Sequence, residues 1–456
     1  MCTNNPPKRA RRMTADHITL TPSKPRGTTC AVAGSPQDIK PDQSARTHLP
    51  FAISPPLGVE AGQALHVVSR SGVRLEIHDL PEIAREWKAF EYRADHLAFQ
   101  SFDWLANWQR HVGTRRGTIP AIVVGREIDG ETLFILPLAV ETARSCRRLC
   151  FLASRLCDYN APLLAQDFSA RVSTERFLQT WRDVVALLRS QPRLRFDLID
   201  LEKMPDHVGE QRNPFLDLSV QAHPSGAYLA DLGRDWNAFY AQKRSSATRK
   251  RERRQLRQLA EHGKLCFVDV EDSGEITRTL TTLIEQKSRV FARMGVDDAF
   301  ARPGAREFFL AVAGDPAMRE LVHVSRLDVG MQIVAASVGL KFRDCYYLIL
   351  SSYDDGELSR FGPGRAHLNE LLRHVIERGC RSFDFTVGDE PYKRDWCDTE
   401  LVLHDYLGAV TIQGWFIAGM TAAFRRLKRH IKRSPGLWRA FSRARAVAGL
   451  VTASRP

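Results

Sequence analysis

A strand, a glycine-rich loop and a helix follow one another late in the chain, in an order that suits the binding of a phosphate group. The aromatic and branched segment Cys345–Leu350 predicts a strand, and residues 366–378 predict a helix. The loop between them would present unpaired backbone N–H groups at the helix start to an anion. Its glycines lack a Cβ that would block a diphosphate, and its arginines add charged donors. The alternative is an ordinary strand-to-helix turn. The loop consists of Arg360, Phe361, Gly362, Pro363, Gly364 and Arg365.

Four ionisable side chains follow the loop helix closely in the sequence. A short predicted strand, Ser382–Phe385, places Asp384 between two aromatic residues, and the next segment holds Glu390, Tyr392 and Lys393. A phenol can donate a proton without first being charged, and burial raises the pKa of a carboxyl group toward a working value. These residue types are the ones that general acid–base chemistry requires.

The segment from Arg360 to Trp396 resembles the GNAT acyltransferases, and within them the CelD-type branch associated with bacterial polysaccharide biosynthesis. The likeness rests on a Pro-Gly pair before a helix, then on Asp-Phe, a glycine, Glu-x-Tyr-Lys and a nearby tryptophan. It extends to the arginine-rich segment Thr248–Gly263, and more loosely over residues 73–410. The resemblance implies acetyl-CoA or another acyl-CoA as donor, with its diphosphate on residues 360–365.

An acyl-CoA transferase must orient the thioester, deprotonate the acceptor and protonate the departing thiolate. The resemblance implies that a backbone N–H at a splayed parallel strand pair polarises the carbonyl, and we expect that pair near residues 348–351 and 383–385. Tyr392 is the candidate acid, or else a tyrosine at a strand edge with its hydroxyl in water. Asp384 is the candidate base acting through water, or else a solvated carboxylate.

Three further side chains are expected to lie near this chemistry. Burial of Glu390 would raise its pKa, and Lys393 could pair with Asp384 or Glu390 or contact an anionic acceptor. His367 is expected beside the phosphates rather than as a base, because the positive end of the helix disfavours its protonation. No Ser-His-Asp or Cys-His order supports covalent catalysis.

Hydrophobic periodicity predicts an α/β protein with mixed sheets and two similar halves. Strand and helix patterns alternate over residues 73–220 and return in the same order over residues 227–410. The helix at 174–188 precedes Phe196–Asp200 much as the loop helix precedes its strand, but the first half has no glycine-rich loop. We expect two fused GNAT-like halves, with the donor site in the C-terminal acyltransferase domain. The alternative is a chance likeness of two α/β segments.

The net charge of +13 is concentrated in the two ends of the chain. Residues 1–60 carry +4 and residues 406–456 carry +10, which leaves −1 for residues 61–405. A near-neutral body gives no reason to expect a nucleic-acid partner. Residues 1–61 lack periodicity and an apolar signal core, so they predict a disordered basic tail. Nine cysteines, an odd number, indicate no disulfide framework and fit no zinc spacing, so no metal is expected.

Two basic segments leave alternatives open. The segment Lys243–Arg257 holds eight Lys or Arg with Glu252 as its sole acid, and is either a solvated surface helix or a site for an anionic acceptor. Residues 408–424 carry no charge and precede the basic run Arg425–Arg429. We expect a strand passing into an amphipathic basic segment at 411–456. We expect its apolar part to pack in the core beside a solvated basic tail, and the alternative is that the basic flank touches an anionic membrane surface.

We therefore predict a cytoplasmic acyl-CoA-dependent N- or O-acyltransferase, with peripheral contact to the inner membrane through its tail left open as an alternative. The acceptor would be a small molecule or a glycan precursor in bacterial polysaccharide or envelope synthesis. Two alternatives remain, a FemAB-like aminoacyltransferase that uses charged tRNA on a cell-wall precursor and a non-catalytic membrane-surface scaffold that keeps the GNAT shell. The near-neutral body argues against tRNA, and the loop argues for a diphosphate donor.

Overall fold

Two mixed β-sheets covered by helices make up the described part of the chain, which comprises residues 66–143, 146–434 and 436 of a computed structural model. The predicted α/β class with mixed sheets is confirmed. The expected disordered tail at 1–61 lies outside the described residues, as do residues 437–456 of the C-terminal segment.

The first half of the chain forms an alternation of strands and helices, and its central strands β4 (Ile119–Arg126) and β5 (Thr132–Ala143) are continuous apolar runs buried on both faces. Its strands are β1 (His66–Val68), β2 (Arg74–His78), β3 (Ala94–Asp95), β4 (Ile119–Arg126), β5 (Thr132–Ala143), β6 (Cys146–Phe151), β7 (Leu163–Ala165) and β8 (Leu198–Met204). Its helices are α1 (Leu80–Glu91), α2 (Phe102–Trp108), α3 (Phe168–Arg171) and α4 (Thr174–Ser190). Short strands β9 (His207–Val208), β10 (Gln211–Arg212) and β11 (Gln221–Ala222) follow.

The second half repeats this alternation. Its strands are β12 (Ala227–Asp231), β13 (Leu265–Asp269), β14 (Val322–Val329), β15 (Gln332–Phe342), β16 (Cys345–Tyr353), β17 (Ser382–Val387), β18 (Thr399–Leu401) and β19 (His404–Ala409). Its helices are α5 (Trp236–Lys243), α6 (Ser246–Ala260), α7 (Ser273–Met294), α8 (Ala305–Gly314), α9 (Pro363–Glu377), α10 (Pro391–Arg394) and α11 (Ile412–Arg433).

The two sheets share one topology. The order β2-β4-β5-β6-β8 in the first sheet corresponds to β13-β14-β15-β16-β17 in the second. Within each series the strands are antiparallel except for a single parallel pair, β6 with β8 and β16 with β17. The crossover helices are α4 and α9. The likeness between halves is therefore a repeated architecture and not a chance resemblance.

One strand of the second half belongs to the first sheet. Strand β12, at the start of the second half, pairs with β17 within its own sheet. Strand β19, at the end of the second half, pairs instead with β8 of the first sheet. Thus a strand inside the predicted 227–410 segment completes the other sheet. A strand's sequence pattern reports which of its faces is buried but not which strand lies beside it, so the sequence did not reveal this crossing.

Aromatic side chains fill the space between the halves. Trp104 and Phe308 meet edge to face with ring centroids 4.9 Å apart, and Phe99 meets Tyr347 at 5.9 Å. At Gly304 the backbone has φ +83°, and a Cβ would lie 1.9 Å from the carbonyl oxygen of His111. The described halves therefore form one compact unit with a continuous core.

Candidate active site

The pairing of the parallel strands β16 and β17 ends after three residue pairs. The last of these pairs joins Tyr347 to Asp384. On its other edge, β16 shifts register against β15 at Ile349. Such a bulge bends the strand and leaves backbone groups unpaired. The strands therefore separate from Leu348 onward, within the segment where the sequence analysis expected the splay.

Thr386 holds this opening in place. Its φ is +56°, which is uncommon for a β-branched residue and turns β17 away from its neighbour. Its hydroxyl donates to the carbonyl oxygen of Leu348 at 3.0 Å, and its backbone N–H donates to Asp384 Oδ1 at 2.7 Å. Side chains thus satisfy backbone groups that a longer strand pair would have satisfied.

Asp384 is a buried carboxyl group and not a solvated one. It is 3% exposed, and the hydroxyl of Tyr159 donates to both of its oxygens at 2.8 Å. Burial raises its pKa to about 7, against the opposing effect of the hydrogen bonds from Tyr159 and Thr386. A carboxyl group with this pKa can accept or release a proton near neutral pH.

The first half of the chain supplies Tyr159, a residue that the sequence analysis did not place in the site. The neighbouring Asp158 is partly buried, and this burial raises its pKa against the opposing charge of Lys203. The Lys203 ammonium donates to the carbonyl oxygen of Cys157. No local sequence signal marks Tyr159, because its partner Asp384 lies 225 residues away in the sequence.

Tyr392 lies on the short helix α10 at the open end of the strand pair. It is 38% exposed, and its ring meets Phe385 edge to face at 6.1 Å. Burial and the nearby carboxylate of Glu390 raise its pKa, while a hydrogen bond with Ser351 opposes this. The phenol therefore keeps its proton at neutral pH and can donate it.

Lys393 and Glu390 form an ion pair beside the cleft. Lys393 Nζ lies 3.0 Å from Glu390 Oε2 and donates to the carbonyl oxygen of Thr386 at 3.2 Å. Lys393 is 3% exposed, whereas the Glu390 side chain is 55% exposed. Of the pairings considered from the sequence, the one with Glu390 is present. The expected burial of Glu390 is not found.

A second lysine approaches the same place from α7. Lys287 Nζ donates to the carbonyl oxygen of Ser351 at 3.2 Å. Burial lowers its pKa, and the charge of Lys393 acts in the same direction. The sequence analysis missed Lys287 because a single lysine in a mixed helix has no distinguishing local signal.

The loop has the backbone form that the sequence predicted. One 3₁₀ turn covers Glu357–Phe361, Gly362 adopts φ +68°, and α9 begins at Pro363. Pro363 has no N–H, and Gly364 lies in the first turn, where helices leave donors unpaired. A Cβ at Gly364 would approach Tyr353 Cδ1 to 3.0 Å, so a larger residue at this position would have to displace the Tyr353 side chain slightly.

Charged side chains border the loop, and helix α6 lies beside it. Arg365 Nη1 donates to Gln255 Oε1 at 3.1 Å, and Arg365 Nε lies 3.9 Å from Glu252 Oε1. The Arg360 guanidinium lies over the Phe361 ring, 4.9 Å from its centroid. The basic helix considered from the sequence is therefore adjacent to the candidate donor loop.

The structure does not place His367 beside the phosphates, where the sequence analysis expected it. It is 3% exposed, its Nε2 lies 3.1 Å from Ser325 Oγ, and burial lowers its pKa to about 3. The α9 helix therefore turns this imidazole toward the sheet and not toward a phosphate. The 3.6-residue period places position 367 on the same face as Leu371, which is fully buried.

Residues 246–394 match a family model described as the acetyltransferase (GNAT) domain. The match spans about a third of the chain and includes the loop, α9, β17 and α10. This part of the chain is an acyltransferase domain of the GNAT type, and the predicted enzyme class is confirmed.

Several solved structures resemble most of the chain at low identity. FemX is 9% identical, with 72% of this chain and 94% of that chain covered and a TM-score of 0.48. The C-terminal domain of a putative lysylphosphatidylglycerol synthetase from Agrobacterium fabrum is 13% identical, with 76% and 96% covered and a TM-score of 0.45. A tandem GNAT protein from the clavulanic acid biosynthesis pathway is 12% identical, with 74% and 98% covered and a TM-score of 0.41. No curated protein matches this chain.

Because the pKa of Asp384 is raised in the folded state, we expect the free energy of unfolding to depend on pH. Above the ordinary value of 3.8 the unfolded chain has released this proton, whereas the folded chain keeps it until about pH 7. The folded state therefore loses stability as pH rises through this window. Asp384→Asn should remove that loss and gain stability relative to the parent from pH 4 to pH 7, by on the order of a few kcal/mol, in thermal or urea unfolding.

Asp405→Asn is a control of opposite sign. Although burial opposes it, the hydrogen bond with His223 and the charge of Arg425 lower the pKa of Asp405. The ionised carboxylate of Asp405 stabilises the folded state, so Asp405→Asn should lower the free energy of unfolding most at high pH. If Asp384→Asn and the parent lose stability in parallel across the window, Asp384 does not keep its proton.

Proposed function

We propose that this chain transfers an acyl group from acyl-CoA to an amine or hydroxyl, in the cleft between β16 and β17. The observation that carries the proposal is the parallel strand pair β16 and β17, which separates after three residue pairs. The chain connects these two strands through the glycine loop and helix α9. We further propose the CelD-type role, with a small-molecule or glycan-precursor acceptor in bacterial polysaccharide or envelope synthesis. The sequence pattern from Arg360 to Trp396 supports that narrower assignment.

The donor would bind with its diphosphate on residues 360–365 and its thioester near Leu348. The αL conformation of Gly362 and the close packing of Gly364 support a backbone cradle for an anion. Arg360 and Arg365 would add charged donors. At the bulge, an unpaired N–H of β16 would polarise the thioester carbonyl as negative charge develops on its oxygen.

The transfer would use one base and one acid. The acceptor nitrogen or oxygen attacks the thioester carbon, and its proton passes through water to the Asp384 carboxylate. As the new C–N or C–O bond forms, the C–S bond breaks, and the Tyr392 phenol gives its proton to the thiolate. Asp384 then releases its proton to solvent and Tyr392 regains one. The pKa of about 7 at Asp384 supports its part of this cycle.

The cations near the cleft favour an acceptor with negative charge. Lys287 approaches Ser351 from one side, and Lys393 approaches Thr386 from the other. Because Glu390 already pairs with Lys393, an anionic acceptor group would displace the exposed Glu390 carboxylate. Glu390 would then act on acceptor affinity and not as a base.

The first half, residues 73–220, would have a supporting role and no donor site of its own. It lacks a glycine-rich loop, and at the register position of Asp384 its strand β8 carries Ile199, opposite Leu149. Its contribution to the second half, residues 227–410, is Tyr159, which orients the Asp384 carboxylate.

A FemAB-like reaction with charged tRNA is the alternative that one observation favours. The basic helix α6 lies beside the loop through the Arg365–Gln255 contact, which gives extra cations for a polyanion. A competition experiment between acyl-CoA and tRNA would show which of the two donors the chain binds. A non-catalytic scaffold would bind neither.

We predict that acetyl-CoA or a longer acyl-CoA binds once per chain through residues 360–365. Gly364→Asp should abolish the binding seen by calorimetry, because it adds a negative charge to the phosphate cradle and crowds Tyr353. Gly314→Asp, at a helix end where a Cβ meets nothing within 4 Å, is the matched control and should bind normally. Two CoA molecules per chain, or none for any acyl length in a folded protein, would contradict the assignment.

We predict that Tyr392→Phe lowers kcat by about 10²- to 10⁴-fold and leaves acyl-CoA affinity nearly unchanged. Free thiol release can be followed over a panel of amine and hydroxyl acceptors. Tyr228→Phe is the control, because Tyr228 is a buried tyrosine near Arg394, outside the cleft. Parent-like turnover by Tyr392→Phe under chemistry-limited conditions would assign the acid to another group.

The C-terminal helix α11 packs with its polar side inward. Arg425, 13% exposed, donates to Asp200 at 2.8 Å and also to Glu202. A Cβ at Gly414 would lie 1.9 Å from the Asp197 carbonyl oxygen. The outward apolar face, with side chains from 56% to 80% exposed, consists of Ile412, Trp415, Phe416, Met420, Phe424 and Leu427.

We propose that this outward apolar face rests on an anionic membrane surface, which would make the enzyme cytoplasmic and peripheral to the inner membrane. Residues 406–456 contain ten Lys or Arg and no acid, which complements anionic lipid at roughly 1 kcal/mol per charge. Trp and Phe beside basic residues suit the interfacial region. In the described part of the chain no helix is long and apolar enough to cross a membrane, so contact would run along the surface.

The double substitution Trp415→Ser and Phe416→Ser should weaken binding to phosphatidylglycerol-rich vesicles at least about tenfold in sedimentation assays, because it removes apolar contact area. Parent binding should fall with added salt and be weak on pure phosphatidylcholine. Ile128→Ser with Met331→Ser, which alters exposed apolar residues elsewhere, is the control. If the parent protein self-associates through this face and binds no vesicles, the face is covered by a second copy of the chain and not by lipid.

A further inference from the structure

Two histidines and an aspartate meet where α9 covers the second sheet. Asp269 ends β13, His323 lies in β14 and His374 lies in α9. One ligand atom from each lies within 4.8 Å of the other two, and the imidazole rings are nearly parallel with centroids 5.4 Å apart. Two imidazoles and a carboxylate form a donor set that suits Zn²⁺ and similar divalent ions.

His323 has the surroundings of a metal ligand. It is 8% exposed, and its Nδ1 lies 2.8 Å from the hydroxyl of the buried Tyr346. Its Nε2 lies 3.1 Å from Asp269 Oδ1, an ion-pair contact whose angle falls outside that of a well-formed hydrogen bond. A metal-bound histidine typically has its other nitrogen hydrogen-bonded, as Nδ1 is here to Tyr346.

We propose that Asp269, His323 and His374 bind one divalent metal ion, Zn²⁺ in preference, with solvent as fourth ligand. His374 Nε2 lies 3.4 Å from Asp269 Oδ2, close to the roughly 3.3 Å between ligand atoms of a tetrahedral zinc ion. Small side-chain rotations would bring a His323 nitrogen, the third ligand atom, to the same spacing from the other two. His374 and Asp269 are partly exposed, which gives an ion a path to the site.

One cation already competes for the carboxylate. Arg378 Nη2 donates to Asp269 Oδ2 at 3.1 Å, and its side chain is 56% exposed, so it can move into solvent when a metal binds. The bound ion would cross-link β13, β14 and α9. Because α9 begins at the glycine loop, the ion would fix the helix that carries the candidate donor site.

The sequence expectation of no metal rested on short ligand spacings, and these ligands lie too far apart in the chain for such a pattern. Asp269 and His323 come from neighbouring antiparallel strands, and His374 from the helix packed on them. Only the folded arrangement brings the three together.

The test uses the full-length chain after metal removal. Co²⁺ should give saturable visible absorption bands with one ion per chain, and Zn²⁺ should show one site by calorimetry and raise the Tm. His374→Gln and Asp269→Asn should each weaken Zn²⁺ binding at least about tenfold. Arg378→Gln should tighten it several-fold, because it removes the competing cation.

His404→Gln is the matched control. His404 forms a similar pair with Asp206 at 2.8 Å but lies in the other sheet, so its loss should leave metal binding unchanged. The proposal fails if the parent gives no saturable Co²⁺ bands, or if His374→Gln binds Zn²⁺ as the parent does. If Asp269→Asn does not fold, the Arg378→Gln variant provides the test of Asp269. Arg378 competes for the Asp269 carboxylate, so a Zn²⁺ affinity unchanged by Arg378→Gln would exclude Asp269 as a ligand.

Discussion

The carboxylate of Asp384 controls the opening on which the candidate site depends. It accepts the backbone N–H of Thr386, a group that would otherwise need a partner in the strand ladder. Thr386 in turn covers the Leu348 carbonyl oxygen with its hydroxyl. The strands can therefore part without leaving these buried backbone groups unpaired. The same buried position raises the pKa of Asp384, so one constraint produces both the cleft and a group able to exchange protons near neutral pH.

This constraint also ties the two halves together. Tyr159 comes from the first half and reaches Asp384 in the second, while β19 of the second half pairs with β8 of the first sheet. The first half without β19 would expose the unpaired edge of β8, and the second half without the first would leave the Asp384 carboxylate short of its phenol donor. The first half therefore supports the site although it has no donor loop.

Helix α9 connects the regions of the second half that matter for binding. Its N-terminus begins at the glycine loop, its middle packs His367 against the sheet, and its last turns carry His374 beside Asp269. A helix held at several points keeps its terminal N–H groups in fixed positions, which an anion site requires. Helix α11 packs on the other sheet through Arg425, which pairs with Asp200 of β8, and its apolar face points outward. The proposed membrane contact and the candidate donor loop therefore lie on different parts of the fold.

The sequence by itself determined the elements and the loop. The aromatic and branched residues of Cys345–Leu350, the glycines around Pro363 and the apolar spacing after it are local patterns, and each depends on residues within a few positions of one another. The same holds for Tyr392 and Lys393, whose neighbours in space are mostly their neighbours in sequence. For these reasons the repeated α/β order and the candidate donor loop could be derived without coordinates.

Only the tertiary structure decided which distant groups meet. The contact of Tyr159 with Asp384 spans 225 residues, and no local pattern encodes a partner at that distance. The sequence left open whether Asp384 was buried or solvated, because alternation in a strand defines two faces without saying what covers each. It also could not show that β19 joins the first sheet or that His374 meets His323 and Asp269. These outcomes depend on packing between elements, which minimises unpaired polar groups and buried voids over the whole molecule.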